Sequence, residues 1–144
     1  MKILLVDGIP AQLRALENIL KQIGFSTIIL SKNCKDAIAA LEKEKDIGLV
    51  ISEWNLPDKT GLCLLEALRQ REDTVGIQVL LTFKDKTKDD VLAALQKGVK
   101  GFIVKPFKLD TVKQKVIEFL LPEGAVHDDR NRELEEILKR VPLE

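Results

Sequence analysis

Five short apolar runs, each followed by apolar residues three or four positions apart, constrain this chain more than any other feature. KILLV, FSTIIL, IGLVIS, IQVLLT and GFIV are largely continuous and rich in β formers. Continuous apolar strands are buried on both faces, which requires helices above and below the sheet. The first intervening stretch, Pro10 to Ile23, places Leu13, Leu16, Leu20 and Ile23 on one helical stripe. Pro10 suits the first turn of that helix and Gly24 its C-terminal cap. CKDAIAALEKEK, the leucines from Leu62 to about Arg71, DDVLAALQKG and LDTVKQKVIEFLL repeat the pattern. The expected fold is α/β: a doubly wound (βα)5 parallel sheet with right-handed crossovers.

Such a sheet concentrates function at the carboxyl ends of its strands. There the sequence places Asp7, Glu53, Thr82 and Lys105, the last followed by Pro106. Taken singly, Asp7 or Thr82 serves as a cap and Lys105 as a solvated cation. Two carboxylates, a hydroxyl and an ammonium on one rim form a candidate site. Trp54, the single tryptophan, follows Glu53.

Composition limits the remaining choices. The 144 residues suit one domain, 45% hydrophobic and 32% charged, with Lys+Arg and Asp+Glu at 23 each. A zero net charge gives no general attraction to nucleic acid. No apolar stretch reaches the length of a membrane span, and MKILLVDG is too short for a signal peptide. The expected location is the cytoplasm. Cys34 and Cys63, without C-x-x-C spacing, read as reduced core thiols rather than a zinc site or disulfide framework.

KILLVDG, VISEWNLPDKTG, VLLT and GFIVKPF, in this order, resemble the receiver domain of bacterial response regulators. EWNLP is especially similar to the corresponding loop of the single-domain chemotaxis regulators. The resemblance covers residues 1–121 and implies a flavodoxin-like sheet of order 2-1-3-4-5. It further implies an aspartate at the tip of the third strand that takes a phosphoryl group from a histidine kinase. Mg²⁺ is held there by an acidic pair, and the Lys-Pro bond is cis. Asp7, Thr82 and Lys105 match their family positions, and the backbone carbonyl of Asn55 matches a metal ligand. Phe102 matches the aromatic switch position on the fifth strand. Phosphoryl transfer is mostly positioning and charge neutralisation, which explains why these groups must converge.

Three positions depart from the family pattern. Glu53 replaces the acceptor aspartate, Gly8 the second acid of the metal pair, and Phe83 the small residue after Thr82. The extra methylene of Glu53 carries its carboxylate roughly 1.5 Å further out, and a misplacement of ~1 Å can cost about 100-fold. Phe83 is expected to roof the pocket partly. Glu53 is expected to pair with Lys105 and Thr82 as an imperfect substitute for a phosphoaspartate.

The expected function is therefore an atypical, non-enzymatic receiver module of two-component signalling. It works by protein–protein interaction, with Mg²⁺ weakly bound or absent at Asp7, Glu53 and Asn55. The alternative is a genuine phosphoacceptor using Mg²⁺ and Glu53. A third reading, a small-ligand domain of flavodoxin-like topology, lacks a Gly-rich phosphate loop. The expected partner is a histidine kinase or a downstream signalling protein, met through Phe102, Lys100, Lys108 and Lys113 on a lysine-rich face. The segment 122–144 reads as a linker and a charged helix with Leu134, Ile137, Leu138 and Val141 on one side. That helix packs on its own domain, trails as a linker, or makes a homodimer contact.

Overall fold

The computed structural model describes residues 1–84, 88–99 and 101–120. β1 (Lys2–Val6), α1 (Pro10–Ile23), β2 (Thr27–Ser31), α2 (Cys34–Lys43) and β3 (Ile47–Glu53) come first. α3 (Leu62–Arg69), β4 (Gln78–Phe83), α4 (Lys88–Gln96), β5 (Phe102–Val104) and α5 (Leu109–Leu120) complete the series. All strand pairs are parallel and the sheet order is β2-β1-β3-β4-β5, as expected. The expected segment 122–144 lies outside the described residues.

Pleating divides the core in two, because successive side chains on a strand point to opposite faces. Ile3, Leu5, Leu49, Ile51, Leu80 and Ile103 face α1 and α5, where Leu13, Leu16, Leu20, Val112 and Val116 meet them. Leu4, Val6, Val50, Val79 and Leu81 face the other way, against Ala37, Leu41, Leu64, Leu65, Leu68 and Ala94 of α2, α3 and α4. α1 matches its sequence stripe, with those leucines and Ile23 buried. Gly24 ends it at φ 126°, a conformation a side chain would strain, and its N–H donates to the carbonyls of Leu20 and Lys21.

The cysteines correct one expectation. Cys34 and Cys63 are not free thiols but form a disulfide between the first turns of α2 and α3, with Cα atoms 6.5 Å apart. The two helices are neighbours on one sheet face, which brings together residues 29 positions apart in sequence.

Candidate functional site at the carboxyl rim

The pleat that builds the core also builds the site. Asp7 continues the parity of Ile3 and Leu5, Glu53 that of Leu49 and Ile51, Thr82 that of Leu80, and Lys105 that of Ile103. All four polar side chains therefore leave the sheet on the α1/α5 side, one step beyond its apolar layer. Ladder hydrogen bonds carry the backbone to these positions. The N–H groups of Asp7 and Lys105 donate to the carbonyls of Ser31 (3.1 Å) and Phe83 (2.8 Å). Glu53 and Thr82 are paired residues in the β3–β4 register.

Lys105 is the centre of the arrangement. Its ammonium lies 2.7 Å from Asp7 Oδ2 and 2.8 Å from Glu53 Oε2, and all three side chains are 6–7% exposed. Thr82 Oγ1 donates to the same Glu53 oxygen at 3.0 Å. Asn55 N–H reaches Glu53 Oε1 at 3.4 Å, and Ile9 N–H donates to Asp7 Oδ1 at 2.9 Å. The peptide between Lys105 and Pro106 is cis. Among the described residues no buried side-chain N or O atom lacks a partner. The site is closed on its own groups.

Mg²⁺ requires near-octahedral oxygen ligation, usually from one or two carboxylates and several waters. Here one oxygen from each carboxylate is committed to a single ammonium, and Asp7 gives its other oxygen to a backbone N–H. Gly8 supplies no acid, and a Cβ at that position would stand 2.8 Å and 2.9 Å from the Pro57 ring. Among the described residues no three His, Cys, Asp or Glu side chains are grouped to hold a metal ion. These residues do not fit a resident Mg²⁺.

The loop after β3 is fastened at several points. Asn55 bridges Thr60, and Leu56 and Gly61 donate to the carbonyls of Lys59 and Trp54. Gly61 is required by close approach, since a Cβ there would lie 2.8 Å from the Glu53 carbonyl oxygen. The Asp58 carboxylate accepts N–H bonds from Cys34 (2.9 Å) and Lys35 (3.1 Å), tying the loop to the start of α2. Its carboxyl is held below the usual range chiefly by the Cys34 N–H, against partial desolvation, and further by Lys35, its own N–H and Lys59. The sequence reading missed this role. Asp58 stands in a turn-like DKTG stretch, but its partners are 23 and 24 residues away.

Two expectations near the site are corrected. Phe83 does not roof the pocket. It shares the parity of Val79 and Leu81, is 1% exposed, and lies in the core on the opposite face. There it stacks on Trp54 (5.5 Å between centroids) and meets the edge of Phe102 (5.7 Å). Lys113 is no surface anchor: it is 5% exposed, because it lies beside Val112 and Val116 on the inward side of α5. Lys97 and Lys108 are exposed and Phe102 is half-buried. Residue 100 lies outside the described residues. Around these lysines stand Leu92 (44% exposed), Leu95 (51%) and Val104 (39%), so the α4–β5 face is more apolar than the sequence reading had it.

Comparison with known proteins agrees with this fold. The profile of the response regulator receiver domain matches residues 3–117. Chemotaxis protein CheY-3 of Vibrio cholerae is 34% identical over 118 residues, 81% of this chain and 88% of that protein. Chemotaxis protein CheY of Pseudomonas aeruginosa is 32% identical over 116 residues, 81% of this chain and 93% of its own. A two-component response regulator from Clostridium difficile superposes with a TM-score of 0.76 at 26% identity, covering 87% of this chain and 99% of that one.

Proposed function

Because the chain belongs to the response regulator receiver family, we propose that it is an atypical receiver of two-component signalling. In this reading it acts by binding a protein partner in the cytoplasm, without enzymatic turnover and with little or no phosphorylation. The observation that carries the reading is the bridge from the Lys105 ammonium to both Asp7 and Glu53. A cation belonging to the chain lies between the two carboxylates, where an acidic receiver would need a metal.

Three physical effects support it. Glu53 is one methylene too long for an acceptor on this strand tip, and in-line attack tolerates little displacement. Asp7, Glu53 and Lys105 together leave one net negative charge, which repels an anionic phosphodonor unless further cations intervene. Gly8 supplies no second acid, and a side chain there would have to displace the Pro57 ring. Mg²⁺ then binds weakly or not at all. Thr82 and Lys105 stand at the positions that would contact phosphoryl oxygens in the alternative reading, where Glu53 accepts the group.

Trp54 offers the test. Its fluorescence is followed during titration with Mg²⁺ and then with beryllofluoride, and intact mass is measured after incubation with a small phosphodonor. The proposal expects no saturable response to beryllofluoride and no added phosphoryl mass. A Mg²⁺-dependent, saturable response with the matching mass increase establishes the phosphoacceptor instead.

A further inference from the structure

We propose that the Cys34–Cys63 disulfide is a site of thiol–disulfide exchange that sets how firmly the β3–α3 loop is held. The proposal does not depend on whether Glu53 accepts a phosphoryl group. It rests on where the bond lies. Cys34 is the first residue of α2 and Cys63 the second residue of α3, immediately beyond the loop 54–61. That loop carries Asn55 beside Glu53 and Pro57 against position 8. One covalent link and one carboxylate, Asp58, join the loop region to the start of α2.

The two sulfurs are not equivalent. Cys34 is 1% exposed, while Cys63 is only partly buried. The thiolate of a small dithiol or of a dithiol protein therefore attacks Sγ of Cys63. The protein S–S bond breaks, and Cys34 leaves with the electron pair. Asp58 already occupies the Cys34 and Lys35 N–H groups, so no free helix end stabilises that thiolate and it takes a proton. The second thiol of the reductant, deprotonated, then attacks its own sulfur in the mixed disulfide. Cys63 is released, takes a proton, and the reductant ends as a disulfide. Two electrons and two protons reach the protein. Both thiols remain among apolar neighbours, where a free cysteine packs as a small hydrophobe.

After reduction the covalent clamp is gone, and apolar packing and the Asp58 hydrogen bonds remain to tie the loop to α2. Local opening then becomes easier for residues 54–61 and the first turn of α2, while the sheet is unaffected.

The test uses the full chain. Alkylation mass counts free thiols before and after dithiothreitol, and amide hydrogen exchange is read over residues 54–61 in both states. Two thiols should appear only after reduction, with exchange in the loop faster by about tenfold or more. An Asp58→Asn variant should widen that difference, because it removes the second fastening. The Cys34→Ser/Cys63→Ser double variant should exchange like the reduced protein with or without dithiothreitol. Alkylation of both cysteines without reductant overturns the proposal, as does identical loop exchange in the two redox states of the unmodified chain.

Discussion

Replacing Lys105 by Met removes the cation that bridges two buried carboxylates while keeping most of the side-chain volume. At 2.7 Å and 2.8 Å, each contact has a gross attraction of about 6 kcal/mol at an effective dielectric of 20. Much of that is offset by the desolvation of all three groups. What truncation exposes is the uncompensated charge left behind, which typically costs about 3–5 kcal/mol. Thr82, Ile9 and Asn55 still donate to the carboxylates, which keeps the loss from exceeding that range. A domain of roughly 120 residues unfolds with an entropy near 0.25 kcal/mol/K, so the midpoint should fall by about 12–20 °C. Urea and thermal unfolding, followed by circular dichroism and Trp54 fluorescence, measure it. The exposed Lys108→Met is the control and should stay within about 0.5 kcal/mol. Adding Glu53→Gln to Lys105→Met should recover part of the loss, since one of the two stranded charges disappears. Mg²⁺ should stabilise Lys105→Met more than the unmodified protein, because both carboxylates are then free to meet a metal. A cost for Lys105→Met below about 1 kcal/mol, or no recovery in the double variant, refutes the reasoning.

Three further outcomes follow from the same geometry. Asp58 has a depressed folded-state carboxyl, so its contribution is present above the ordinary carboxylate range and is lost as pH falls below about 4. Acid unfolding of Asp58→Asn should therefore show a weaker pH dependence there than the unmodified chain. Phe83→Ala should cost about 3–5 kcal/mol in urea unfolding and leave phosphodonor labelling unchanged, because the ring supports the far core and does not cover the pocket. Leu92→Glu with Leu95→Glu should leave the unfolding midpoint almost unchanged but abolish pull-down of a protein partner, while Lys113→Glu should mainly destabilise the fold.

The fold was legible because its signals are local. Continuous apolar runs and three-or-four spacing mark each strand and helix, and a parallel sheet is the arrangement that buries them all. The four polar side chains at the rim were legible for the same reason, since strand ends are read directly from where the apolar runs stop. Phe83 was legible in principle. Counting by twos from Val79 sends it away from Thr82, whereas reading it only as the next residue suggested a roof. Lys113 depended on the rotation of α5 against the sheet, which a lysine between apolar neighbours does not reveal. The disulfide and the Asp58 cap join residues from separate helices and loops, and only tertiary packing brings those together.

The alternation that separates Thr82 from Phe83 and Glu53 from Trp54 gives the domain a built-in gauge. The charges gather on one side of the sheet, while Trp54, Phe83 and the half-buried Phe102 form an aromatic row on the other. The distance between the two systems along the chain is a single peptide bond, and the Trp54 N–H is itself bonded to the Thr82 carbonyl at 2.8 Å. The indole is 5% exposed, so solutes in the pocket do not quench it by contact. A change in its emission therefore reports movement of the strand tips or an altered field from the charges across the sheet. The molecule thus carries an internal sensor kept apart from the reagents it would be used to detect.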